Sequence, residues 1–181
     1  GSTITAGGKR VFESSGNADW VEVTALTSTK AVVVNSDDGN SLYGTACVLD
    51  VSGTTITART PMVFESSRCD YLTLDTLTST KAIVVYRNSG NSGYGTSRIL
   101  SVSGSNITAG NAAVFESASS AFTQVSMLTS TTAVVVYVDY GNSSYLTVCT
   151  LDVSGSTITA GTPKTIGTTV PWYISVAMLT P

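Results

Sequence analysis

Leu26, Leu77, Leu128 and Leu179 follow one another at a step of 51 residues, and so do Trp20, Tyr71, Phe122 and Tyr173. Tyr43, Tyr94 and Tyr145 keep the same step. A fixed period of this length means that one supersecondary unit is copied, about three and a half times here, which restricts the fold to repeat architectures. The period constrains the fold far more than the chemistry.

Each copy reads as four strands, a to d. In strand a, Val23, Leu74, Val125 and Val176 point one way and Glu22, Thr73, Gln124 and Ser175 the other, the alternation of a half-buried strand. Strand b (Ala31–Val34, Ala82–Val85, Ala133–Val136) is apolar throughout, as in a central strand covered on both faces. A polar turn follows (Asp38-Gly39-Asn40, Ser89-Gly90-Asn91, Tyr140-Gly141-Asn142), in which Gly and Asn are expected to supply positive φ. Strand c runs from Tyr43 to Val51 and ends in Val-Ser-Gly; strand d runs from Thr55 through Ser66, with a kink expected at its Gly/Pro-marked middle. No stretch has the 3.6-residue period of an amphipathic helix.

Four-stranded antiparallel meanders copied at a fixed period predict an all-β fold of β-propeller blades. A β-trefoil or β-prism is complete at three copies, whereas a fourth copy begins here at Trp172-Tyr173-Ile174-Ser175-Val176. The predicted layout is a single repeat domain over 1–181. It comprises the outer strand of a preceding blade (1–14), blades at 19–66, 70–117 and 121–167, and the first strand of a fourth blade (172–181). Such a chain forms an incomplete ring. It is read as a segment of a longer array, with assembly of several copies into a ring as the alternative, because open sheet edges invite pairing.

Tyr94-Gly95-Thr96, Val102-Ser103-Gly104, Ile107-Thr108-Ala109-Gly110 and Val114-Phe115-Glu116-Ser117, with their copies, give the chain a further likeness. Over essentially its whole length it resembles highly repetitive β-propeller proteins of bacterial type, whose blades of about fifty residues are nearly identical. The resemblance implies a fold and carries no catalytic residues with it.

Charged residues are 12% of the chain, net charge is −3 and no basic cluster occurs, so a nucleic-acid partner is not expected. Apolar runs are strand-length, far short of a membrane-spanning helix. The Ser, Thr and Gly richness points to an extracellular or surface-exposed protein. Cys47 and Cys149 share a repeat position that is Arg98 in the copy between, which fits neither a disulfide framework nor a metal site; with Cys69 they are read as free thiols.

The d–a and b–c connections are expected to share one face, and variation among copies gathers there: Ser15 to Trp20, Ser67 to Tyr71, Ala118 to Phe122. Candidate ligand-binding residues are Asp19, Trp20, Asp70, Tyr71 and Trp172 with the turn amides Asn40, Asn91 and Asn142. Flat rings beside Asp and Asn suit a sugar, whose C–H faces stack and whose hydroxyls hydrogen-bond. Tyr43, Tyr94 and Tyr145 are read as packing wedges. Glu13, Glu65 and Glu116 are expected to pair with Lys30 and Lys81 or to cap loop backbone.

No catalytic residue, cofactor or metal is assigned. Asp37-Asp38-Gly39-Asn40 has no carboxylate counterpart in Arg87-Asn88-Ser89-Gly90-Asn91, so it reads as a hairpin rather than a calcium loop. The chain has no His, which removes the commonest general base. A glycosidase pair drawn from Asp19, Asp70 and Glu65 is a distant reading. The favoured function is a non-enzymatic, lectin-like or adhesive binding module for a glycan, the alternative a purely structural repeat scaffold or fibre segment. Partners are then a glycan and copies of the chain or further blades.

Overall fold

The computed structural model describes residues 6–9, 11–14, 16–171 and 173–177. Val-, Ile- and Thr-rich runs take the extended conformation in which branched side chains pack best. The described strands are β1 (Ala18–Thr27), β2 (Lys30–Asp37), β3 (Tyr43–Ser52), β4 (Thr55–Ala58), β5 (Met62–Thr78), β6 (Lys81–Asn88), β7 (Tyr94–Ser103), β8 (Asn106–Ala109), β9 (Ala113–Met127), β10 (Thr132–Asp139), β11 (Tyr145–Ser154), β12 (Thr157–Ala160) and β13 (Lys164–Gly167). They form one continuous sheet in the order β1-β2-β3-β5-β6-β7-β9-β10-β11-β12, with β4, β8 and β13 paired alongside β3, β7 and β11. Every pairing is antiparallel and the described strands do not close into a ring. No helix among the described residues is long and apolar enough to cross a membrane.

The turns show how each copy closes. Two residues, Ser28-Thr29, separate the paired Thr27 and Lys30, and the Thr27 hydroxyl accepts the Thr29 N–H at 3.2 Å; Thr78 with Thr80 and Thr129 with Thr131 repeat this. Positive φ at the b–c turns falls later than expected. Asp38–Asn40, Ser89–Asn91 and Tyr140–Asn142 form 3₁₀ turns, and the left-handed residues are the pairs that follow, Ser41-Leu42, Ser92-Gly93 and Ser143-Ser144, the first of each at φ 58°, 56° and 57°. The turn glycine serves space instead. A Cβ on Gly90 would lie 2.5 Å from Ser67 Cβ, and one on Gly141 2.4 Å from Ala118 Cβ.

The expected kink in strand d is a break: Arg59-Thr60-Pro61 separates β4 from β5. The expected d–a loop, however, is strand. Met62 to Arg68 of β5 pair with β3, and Cys69 to Thr78 pair with β6. Likewise Ala113 to Ser119 of β9 pair with β7, and Ser120 to Met127 with β10. Register shifts accompany left-handed φ at Tyr71 (54°) and Phe122 (50°), so bulges re-aim the strands without a loop. Residues 6–9 and 11–14, expected in an outer strand, and 173–177, expected in the first strand of a fourth blade, carry no strand assignment.

The shared strands divide the sheet into three sectors that pack face to face. Val32 and Val34 of β2 meet Ala82, Val84 and Tyr86 of β6 in one core; Ile83 and Val85, on the other side of β6, meet Ala133, Val135 and Tyr137 in a second. Strand b is thus buried on both faces, as its composition predicts. Phe64–Tyr86 and Phe115–Tyr137 edge contacts, with centroids 5.5 and 5.3 Å apart, occupy equivalent places in the two cores.

Candidate functional site

Bulges in β1, β5 and β9 each carry an aromatic ring. Trp20, Tyr71 and Phe122 have φ of 51°, 54° and 50°, a conformation uncommon for bulky residues and repeated three times here. Their rings form a row. Trp20 and Tyr71 have centroids 4.5 Å apart at 52°, and Tyr71 and Phe122 lie 5.0 Å apart at 48°. The sectors are held in this alignment by the Thr123 hydroxyl donating to the Tyr71 carbonyl, and by the Thr24 and Thr76 hydroxyls 2.8 Å apart.

The row lines a cleft of about 370 Å³ that also receives Tyr173, Glu22 and Gln124. Its volume lies in the range of small-molecule sites, roughly 300–1,000 Å³. Trp20 is 44% exposed and Tyr173 92%. Burial in this apolar setting holds the Glu22 carboxyl above the usual carboxylate range. Glu22 and Gln124 also line a second cleft of about 470 Å³ further along the inner strands, with Thr73, Asp75 and Ser126. The Asp75 carboxylate accepts the N–H groups of Thr76 and Met127, each at 2.7 Å.

Of the residues expected from sequence, Trp20 and Tyr71 come together in the first cleft. Asp19 is exposed on β1 opposite Ser36 and does not line it. Asp70 is 3% exposed and faces Arg68 Nε at 2.8 Å, Arg87 Nη1 at 3.4 Å and Ser89 Oγ at 3.1 Å. Asn40, Asn91 and Asn142 are exposed on three separate turns and line neither cleft, and Asn142 donates to Thr165 Oγ1 at 3.0 Å. Trp172 lies outside the described residues. Sequence reasoning missed Phe122, Tyr173, Glu22 and Gln124 as site residues. The 51-residue column from Trp20 to Tyr173 was the available signal.

Glu65 and Glu116 engage partners other than Lys30 and Lys81. Glu65 Oε2 accepts Tyr86 Oη at 3.0 Å, Asn88 Nδ2 at 3.1 Å and Arg98 Nη2 at 3.1 Å. Glu116 accepts Tyr137 Oη at 2.8 Å and, in the expected capping manner, the Ala118 N–H at 2.9 Å. Burial, with the glutamate beside it, pushes each tyrosine well above its ordinary range. Tyr43, Tyr94 and Tyr145 are half-buried at the starts of β3, β7 and β11.

Cys47, Cys69 and Cys149 are free and buried. Burial, then the charge of Glu116, pushes the Cys149 thiol up to about 12. Among the described residues no three His, Cys, Asp or Glu side chains converge on a metal-sized site. No protein-family model, curated protein or solved structure matches this chain.

Proposed function

We propose that the chain is a non-enzymatic, lectin-like module of a surface-exposed or secreted protein, and that a saccharide lies along the Trp20–Tyr71–Phe122 row. The ring row carries this reading. Tilted rings about one sugar width apart offer stacking faces for C–H groups, while the Glu22 carboxyl and Gln124 carboxamide in the same cleft serve hydroxyls. The sectors are read as propeller blades. Long strands that leave the outer edge of one sector and enter the inner edge of the next support this, as do the paired face-to-face cores.

A binding role is favoured over hydrolysis because, among the described residues, Glu22 is the one carboxylate lining the aromatic cleft. Asp75, in the neighbouring cleft, is committed to backbone N–H groups. Retaining and inverting glycosidases both work with a pair of free carboxyl groups.

The test is a glycan array followed by calorimetric titration of the best oligosaccharide. Trp20→Ala and Tyr71→Ala are each expected to weaken binding about tenfold, equivalent to about 1.4 kcal/mol. Silence across the array from folded protein overturns the reading. A second reading, a scaffold without a small ligand, draws support from the Lys30 and Lys81 ties between sectors, which serve cohesion alone.

A further inference from the structure

In a chain built from copies of one unit, a charge present in one copy only answers a demand that the repeat itself does not make. Two such charges, Arg68 and Arg87, meet beside Tyr71 on a carboxylate, Asp70, that the first copy shares as Asp19. Arg87 stands where the other copies have Ser36 and Val138, Arg68 where they have Asn17 and Ser119, and Asp70 where they have Asp19 and Ala121. Asp70 pairs across the ladder with Arg87 and precedes Tyr71 on β5.

We propose that the Arg68–Arg87 pair receives the carboxylate of an acidic saccharide whose ring stacks on Trp20 and Tyr71. The inference rests on the carbohydrate reading above and narrows it to sugars of the uronic-acid class.

Charge and hydrogen-bond accounting lead there. The Asp70 side chain is 5% exposed and lies between two guanidinium groups, with Arg68 Nε at 2.8 Å and Arg87 Nη1 at 3.4 Å. One cation neutralises one carboxylate, so the trio keeps a net positive charge beside the middle of the aromatic row. Each guanidinium has five N–H donors in a planar fork that matches a carboxylate. Arg68 commits Nε to Asp70 while its side chain stays 57% exposed. Arg87 Nε is buried with no hydrogen-bond partner, a donor left over where buried donors are normally satisfied.

Asp70 also holds the pair in place. Its buried carboxylate fixes one guanidinium from its own strand and one from the neighbouring strand, so neither has to be ordered when a ligand arrives. Asp70 directly precedes Tyr71 on β5 and lies opposite Arg87 on β6, so the trio stands next to the middle ring of the row. A purely structural role for Arg68 and Arg87, neutralising Asp70, calls for one of them and leaves the second unexplained.

The experiment uses the intact chain and matched pairs of neutral hexose oligosaccharides and their uronic-acid counterparts, on an array and then by calorimetry. Acidic members are expected to bind at least tenfold tighter at low salt, with the preference shrinking in 0.5 M NaCl, roughly the range in which the screening length falls below 5 Å. Arg68→Gln, on an exposed side chain, is expected to erase the preference while leaving neutral binding unchanged. Arg87→Lys, which keeps the charge beside Asp70, is expected to reduce it. Equal binding of neutral and acidic members, or a preference that survives Arg68→Gln, overturns this inference and leaves the carbohydrate reading standing. Absence of binding by every pair sinks both.

Discussion

Lys30 Nζ lies 3.0 Å from the carbonyl oxygen of Gly104, a residue one sector further on, while the same ammonium pairs with Asp50 in its own sector. Lys81 repeats the long reach, donating to the Gly155 carbonyl at 2.6 Å. The positive-φ glycine turns thus present a carbonyl to the preceding sector's lysine. Lys81→Met is expected to lower stability by about 1 kcal/mol, the net worth of one hydrogen bond. Lys30→Met, which also strips Asp50 of a partner, is expected to cost more. Urea unfolding midpoints of the two variants check the order.

Glu65 is shared by Tyr86, Asn88 and Arg98 at a site where the side chains of Arg98 and Glu65 are 20% and 13% exposed. Removing one member of a well-buried pair leaves the other uncompensated. Arg98→Met is expected to destabilise by about 3 kcal/mol, and the double variant Arg98→Met/Glu65→Gln by less, because the stranded charge goes with it. A double variant as unstable as the single one counts against coupling between the two.

Burial moves Cys149 from an ordinary value of 9.0 to about 12. A group with a raised folded-state value contributes stability that is whole below its unfolded value and is lost as pH climbs towards the folded one. Stability is therefore expected to fall from about pH 9 upward, with Cys149→Ser flattening part of that slope. All three thiols are expected to react slowly with a disulfide reagent in the native protein and quickly in denaturant, since thiolate is the reactive form. Fast labelling of any one in the folded chain contradicts the burial.

Two glycines separate two demands. Gly104 has φ +62° and open space around a Cβ, so Gly104→Ala is expected to cost about 1 kcal/mol of backbone strain alone. At Gly141 a Cβ would stand 2.4 Å from Ala118 Cβ, and Gly141→Ala is expected to cost about 2 kcal/mol through overpacking. Replacing Ala118 by Gly should rescue the second variant and not the first, as thermal melts of the two pairs would reveal.

The 51-residue step and the alternation of Val23, Leu74 and Val125 were enough to read the strand units, and the all-apolar strand b announced its two buried faces. The run Ser67-Arg68-Cys69-Asp70 reads as a d–a loop in sequence, since it joins two units and varies among the copies. In the fold it alternates, Cys69 entering the core while Arg68 faces out, and a bulge at Tyr71 keeps the strand going. Half of the site was legible in the same way. The aromatic column stood in the sequence, but the burial of Asp70 depends on Arg87 across the ladder, a contact no local pattern announces. Asn40, Asn91 and Asn142 repeat because their turn repeats: the Asn91 and Asn142 backbone N–H groups donate to Asn88 and Asp139, and their side chains do not line the cleft.

Because β5 and β9 each belong to two sectors, no sector owns a complete set of strands and no linker lies between neighbours. Peeling one sector strips the inner edge from the next, so neighbouring sectors melt together rather than one at a time. Force applied along the chain is carried through covalent backbone that both sectors clasp, and a protease meets hydrogen-bonded ladder where a string of separate domains would offer it a hinge.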